Sequence, residues 1–200
     1  MPNKHYRWNK CATEGCEKPG LRGAKHCWEH LPSQESYLDI VDPTKLAWAN
    51  FSEVDFSGRN LAGANLTGGK FSGANFSGAN LEGATLVRAY LDGANLKGAT
   101  LANANCEWVV LGAADVSMAD FKRANLDRSN LVGTKGHAAT FDHASFYYAR
   151  PGNADFEGAS LKGANIDRAI FRAANLRNAD LSGATGAANF DRANLEGARQ

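Results

Sequence analysis

From Phe51 to Leu181 a large apolar residue returns every fifth position. Of these 27 positions 24 are Leu, Phe, Val or Ile, and the exceptions are Cys106, Gly136 and Pro151. Two residues earlier, 21 of the 27 positions are Ala, and the residue just before the large one is Asn or Asp at 16 of 27. A period of five fits neither a helix, which repeats every 3.6 residues, nor a strand, which repeats every two. It requires a winding chain that presents the same side or corner once in five residues. Such a chain is a solenoid, and solenoids work by displaying a long surface.

Units such as Ala64-Asn65-Leu66 and Ala119-Asp120-Phe121 resemble the pentapeptide-repeat family, whose motif reads Ala-(Asn/Asp)-Leu-X-X, over residues ~41–198. The resemblance implies an all-β fold, a right-handed quadrilateral parallel β-helix with four five-residue sides per coil. One large and one small inward residue per side suit a narrow tube, and Asn, Asp and Gly suit its corners because they tolerate unusual backbone angles. On that reading residues 51–198 wind into about seven coils. At the β-sheet spacing of ~4.8 Å they would form a rod of roughly 35 Å.

The repeat loses its sense before residue 50, so three segments are expected: a zinc-binding module at 1–32, a linker and N-terminal cap of the solenoid at 33–50, and the β-helix at 51–200. Three of the four cysteines crowd into the first as Cys11-x4-Cys16-x10-Cys27-x2-His30. Three thiols and an imidazole at these spacings suit one tetrahedral, structural Zn2+. The segment has few large apolar residues, so a metal staple is physically motivated. The spacing resembles the small C-x4-C…C-x2-H zinc modules attached to HNH nucleases and to WRKY-like fingers. A Cys11–Cys16 disulfide is the alternative, which a reducing cytosol disfavours. His5 and His26 are spare imidazoles. In the second segment, Pro32 to Glu35 read as linker, and Asp42-Pro43-Thr44 opens a short helical turn carrying Leu46 and Trp48.

The net charge is +1, from 22 basic and 21 acidic residues, and residues 51–200 carry 15 of each. No apolar stretch approaches membrane length and the first residues lack a signal-peptide core, so the expectation is a cytoplasmic protein. Residues 1–32 carry six basic against three acidic residues, interleaved with Tyr6, Trp8 and Trp28. That mixture is compatible with nucleic acid. No catalytic constellation emerges: His137 falls on a different side from Asp142 and His143, and no nucleophile or phosphate-loop motif is present. The expectation is a non-enzymatic scaffold with a protein partner, plus a homodimer through an uncapped C-terminal coil. The alternative comes from the resemblance: some family members mimic duplex DNA and bind gyrase. Duplex DNA carries a charge every ~1.7 Å of its axis, which a neutral rod does not reproduce.

Residues 20 apart stack in successive coils, so Arg88, Trp108, Arg128, Tyr148 and Arg168 should form one external ladder, with Tyr90 and Arg150 beside it. Glu107, Asp127 and Asp167 are placed to pair with the arginines. This edge is either a partner surface or a cation–π stack that steadies adjacent coils. Three irregularities complete the reading. Gly136 leaves a hole that Phe141, Phe146 or Phe156 would fill, and Pro151 lacks a backbone donor. One residue is missing between Gly186 and Asn189, which should rotate or bulge the final sides.

Overall fold

A computed structural model of the chain describes residues 9–18, 20–21, 24–36, 42 and 46–200. From Phe51 to Leu181 the five-residue units repeat one hydrogen-bonding scheme, interrupted at Pro151. The large residue donates its N–H to the next coil (Leu96 to the Asp115 carbonyl, 2.6 Å), while the polar residue before it donates to the previous one (Asn95 to the Ala74 carbonyl, 2.9 Å). The corner residue two further on also donates forward (Gly98 to the Ser117 carbonyl, 2.9 Å). With one exception, parallel bridges link the residue ahead of each large one to its equivalent 20 residues later, from Asn50–Lys70 to Asn165–Thr185. Four five-residue sides therefore make one coil.

Each corner is a turn closed locally, as by the 3.0 Å bond from the Ala94 N–H to the Leu91 carbonyl, with its third residue at positive φ (Gly93, 63°). This is the type II arrangement, which calls for Gly or Asn at that place. Many corners comply. The Asn or Asp ahead of the large residue helps close the turn: its Oδ1 accepts the N–H two residues on, as from Ser57 to Asp55 at 2.9 Å and from Lys97 to Asn95 at 3.1 Å. Cross-coil amide bonds extend these residues into ladders, such as Asn75 to Asp55 and Asn95 to Asn75, both 3.0 Å.

The interior is a column of stacked side chains. Phe51 lies over Phe71 at 5.8 Å, Phe56 over Phe76 at 5.0 Å, and Phe121 over Phe141 at 5.1 Å, each within offset-stacking range. The few inward polar groups are satisfied: the Thr134 hydroxyl donates to the Leu111 carbonyl at 2.8 Å and the Ser129 hydroxyl to the Leu126 carbonyl. Cys106 takes a Leu position in full burial, which pushes its thiol up to about 12.

The irregular positions resolve individually. The hole at Gly136 is occupied by Phe156, whose ring carbons would lie 2.5 Å from any added Cβ. At Pro151 the ladder loses a rung, since no bridge joins Arg150 to Ile170. The missing residue near the C-terminus is absorbed at one corner. Ile170, Asn175 and Asp180 pair with Asn189, Asn194 and Arg199, a step of 19 instead of 20, so the last sides stay aligned and are not bulged. Gly186 makes this shortcut, at φ 93° and with the Asp167 backbone 2.5 Å from a hypothetical Cβ, a contact only glycine permits.

The first coil is covered by the cysteine-bearing segment. Leu21 is buried in the same apolar cluster as Leu46, Phe51 and Phe56, and Ala24, Trp28 and Leu31 pack against it. The buried Asn50 amide donates to the Gly20 carbonyl at 3.3 Å, and Lys18 bridges Glu29 at 2.7 Å and Glu53 at 2.6 Å. Sequence reasoning placed the cap at 33–50. In the described part of that stretch Leu46 joins the core, residues 34–36 turn helically, and Trp48 lies over Gly68 in the next coil. Val41, Pro43 and Thr44 lie outside the described residues.

Candidate functional site

Cys11, Cys16, Cys27 and His30 converge, with their four donor atoms all within 4.8 Å of one another. The short 3-10 turn Trp28–His30 brings His30 back beside Cys27. The His30 Nδ1 lies 3.4 Å from both the Cys11 and Cys27 sulfurs, and Cys16 Sγ lies 3.9 Å from Cys27 Sγ. A tetrahedron with Zn–S bonds of ~2.3 Å and Zn–N bonds of ~2.0 Å has edges of roughly 3.5–3.8 Å, so these spacings fit that ion. All four cysteines are free thiols, so the disulfide alternative is not formed. Burial opposes ionisation of Cys11. The amide donors of Cys27 and Thr13, aided by the Thr13 hydroxyl and the His30 ring, outweigh it and hold the thiol down to about 5. Burial pushes the Cys27 thiol up. His26 stands outside the cluster, its Nδ1 3.3 Å from the Thr13 hydroxyl, and His5 lies outside the described residues.

Three members of the basic-aromatic mixture of residues 1–32 are engaged within the fold. Lys10 pairs with Glu17 at 2.5 Å, Lys18 with two glutamates, and Trp28 faces the apolar cluster. Lys4, Tyr6, Arg7, Trp8 and Arg22 lie outside the described residues.

On the rod, the expected ladder stands on one corner. Arg88, Trp108, Arg128, Tyr148 and Arg168 all occupy the third turn position, at φ between 56° and 60°. Arg128 lies over the Trp108 ring at 5.6 Å and over Tyr147 at 5.7 Å, and Arg168 lies over Tyr148 at 5.1 Å. Of the three acids beside them, Glu107 pairs with Arg128 at 3.1 Å and Asp167 with Arg168 at 3.8 Å. Asp127 turns instead to the Ser145 hydroxyl and the Tyr147 N–H. The side that follows this corner is equally distinct. It carries Lys70, Tyr90, Val110, Arg150 and Ile170 where the other three sides carry mostly Asn, Asp, Ser and Thr. Trp48, Tyr90, Trp108, Tyr148 and Ile170, five of the seven large apolar residues exposed among those described, stand on this corner and side. Sequence reasoning saw the ladder but missed its backbone: the turn position could have been found from the glycines that recur at the same phase.

Asp142 and His143, close in sequence, are engaged with different neighbours in the adjacent coil. Asp142 bonds the Ser160 hydroxyl and the Lys162 N–H, and His143 leans over Gly163. Among the described residues no helix is long and apolar enough to cross a membrane.

Comparison with known proteins agrees with this geometry. The model of pentapeptide repeats matches in eight copies spanning residues 49–150 and 152–185. Among solved structures, a trypsin-treated form of QnrB1, a plasmid-mediated fluoroquinolone resistance protein, is 20% identical with a TM-score of 0.53, covering 80% of this chain and 85% of its own. HetL of Nostoc sp. PCC 7120, involved in heterocyst differentiation regulation, is 22% identical over 75% of this chain and 86% of its own, with a TM-score of 0.45. A pentapeptide-repeat protein of the Arabidopsis thaliana thylakoid lumen is 32% identical over 53% of this chain and 67% of its own, with a TM-score of 0.40. No curated protein matches. At such identities the likeness to QnrB1 concerns the fold alone. The five-residue phase, the 20-residue rungs and the family match over more than half the length agree, and the chain belongs to the pentapeptide-repeat family, whose fold is the right-handed quadrilateral β-helix.

Proposed function

We propose that this chain is a non-enzymatic binding scaffold, a β-helical rod that offers one corner and its adjoining side to a protein partner. The observation that carries this reading is where the rod departs from its own rule. An L-residue in the left-handed region costs roughly 1–2 kcal/mol. An exposed cation–π contact returns only ~0.5–1 kcal/mol. Six of the seven corner residues from Trp48 to Arg168 accept that strain, Gly68 being the exception. The adjoining side also forgoes most of the Asn and Asp turn bonds that the other sides make. Stability alone would favour Gly and Asn here. Arg, Trp and Tyr are the residues enriched at binding hot spots.

Cys11, Cys16, Cys27 and His30 would hold one Zn2+, which as a closed four-ligand site fixes the cap and leaves no position for substrate. Reduced cysteines suit a cytoplasmic setting. A second copy of the chain would be the natural cover for the final coil, where Phe190 and Leu195 remain only half-buried. Gyrase mimicry is the weaker reading for a rod with 15 charges of each sign.

Affinity capture from nuclease-treated native lysate tests the surface. Trp108→Ala combined with Tyr148→Ala should abolish capture of the partner while moving the melting temperature little. Capture that survives, or a rod that melts far earlier, would assign the ladder to stability.

A further inference from the structure

The missing rung at Pro151 opens a groove. Elsewhere along the rod the forward bond from each large residue measures 2.6–2.8 Å, as in Leu126 to Ser145 at 2.7 Å. Around Pro151 the ladder loosens: Leu131 reaches the Arg150 carbonyl at 3.1 Å, Tyr148 reaches the Asp167 carbonyl at 3.2 Å, and proline itself has no N–H for the Ile170 carbonyl. The adjoining corner carries Gly152 and Asn153, so no large side chain covers the gap. The result is a depression of about 450 Å3 floored by Val132, Gly152 and Ile170 and rimmed by Arg150, Arg172 and Arg192.

The charges of this rim are unevenly used. Asp191 lies 3.3 Å from Arg172 and 3.9 Å from Arg192, so one carboxylate serves two guanidiniums. The Arg150 side chain is exposed, and its guanidinium has no ion pair or hydrogen bond among the described residues. Three arginines against one aspartate leave the groove with a net charge of +2. A guanidinium presents a planar fork that fits a carboxylate at two points. The apolar floor matches a side chain lying next to that carboxylate. We propose that this groove receives an extended acidic peptide segment of the protein partner, with a Glu or Asp carboxylate on Arg150 and a neighbouring aliphatic side chain on Val132 and Ile170. The inference rests on the scaffold reading and gives the partner its chemistry.

Fluorescence anisotropy with the full chain provides the test. The probe is a fluorescein-labelled, end-blocked peptide Glu-Val-Glu-Leu-Glu-Val-Glu, and the control is its all-Gln counterpart. Saturable binding of the acidic peptide is expected, weaker by about tenfold or more for the Gln peptide and for Arg150→Gln, and unchanged for Lys97→Gln on another corner. Pro151→Ala restores the donor to the Ile170 carbonyl and should close the groove, weakening binding by about tenfold without loss of thermal stability. Absence of saturable binding, equal losses for Arg150→Gln and Lys97→Gln, undiminished binding to Pro151→Ala, or equal competition by a short DNA duplex would overturn the proposal. Lysate capture separates the two readings. If Trp108→Ala with Tyr148→Ala abolishes capture but Arg150→Gln and Pro151→Ala do not, the groove fails and the scaffold stands. If the wild-type rod captures nothing, the scaffold reading fails whatever the peptide does.

Discussion

The cap and the rod solve the same problem in opposite ways. The segment from Asn9 to Leu31 has little apolar mass, and its order converges on four donor atoms lying within 4.8 Å. The rod from Leu46 onward has no such centre, and each coil rests on its two neighbours through stacked rings and evenly spaced bonds. One is therefore sensitive to a single bond-forming event, while the other spreads any loss over adjacent coils. Their junction, where Asn50 bonds the Gly20 carbonyl and Leu21 enters the apolar core, couples the two.

The largest effect should come from removing the proposed zinc. Structural zinc contributes apparent binding free energies of ~10–16 kcal/mol in small modules, far beyond what this segment can bury. Purified protein should hold one zinc per chain by elemental analysis. Chelation, or Cys27→Ser, should unfold the cap and leave the rod's circular dichroism nearly intact. Thiol reagents then distinguish the regions: Cys11, Cys16 and Cys27 should react after chelation, and Cys106 only in denaturant. Zinc-free protein as isolated, or a rod that melts with the cap, would break the comparison.

A core truncation should be smaller and local. Leu126→Ala deletes a fully buried side chain and should cost ~2–5 kcal/mol. Hydrogen exchange should quicken in the coils around residue 126 and stay slow near Phe56 and Phe76. Uniform quickening along the chain would mean that the rod behaves as one cooperative unit.

Cys106 adds a dependence on pH. Its pKa rises from 9.0 to about 12 on folding because burial disfavours the thiolate. The neutral thiol's contribution is thus fully present below pH 9 and is lost as pH rises toward 12. Replacement by Ala should flatten that alkaline decline. An unchanged alkaline profile would assign the decline to other groups.

The smallest effect has the opposite sign. Arg88→Gly relieves left-handed strain of ~1–2 kcal/mol, against a chain-entropy cost of ~0.5–1 kcal/mol for glycine. Thermal stability should rise slightly or hold. A clear fall would show that this corner is built for strength and would weaken the case for a partner there.

Much of this was legible in the sequence because a solenoid writes its cross-section directly into its period. Leu, Ala and Asn recur in phase, so the inward column, the sides and the ladder from Arg88 to Arg168 follow from counting. The cysteine spacing likewise placed Cys11, Cys16, Cys27 and His30 together. What counting missed depends on contacts between segments with no shared phase. The docking of Leu21 and Trp28 onto the first coil carries no periodic signal. The groove at Pro151 arises from an absent N–H and two small corner residues, which read in sequence as a local blemish and in space as an opening.

The rung of 20 residues has a consequence for how such a chain can change length. Removing one five-residue unit between Arg128 and Tyr148 would shift every later residue by a quarter turn, carrying Tyr148 and Arg150 to a different side from Trp108 and Arg128. The surface would be cut into two patches facing different directions, although each coil would remain well packed. Only whole coils can be gained or lost without scrambling it. The corner at Gly186 shows the single alternative the chain uses: it drops one residue inside a turn and keeps its heading.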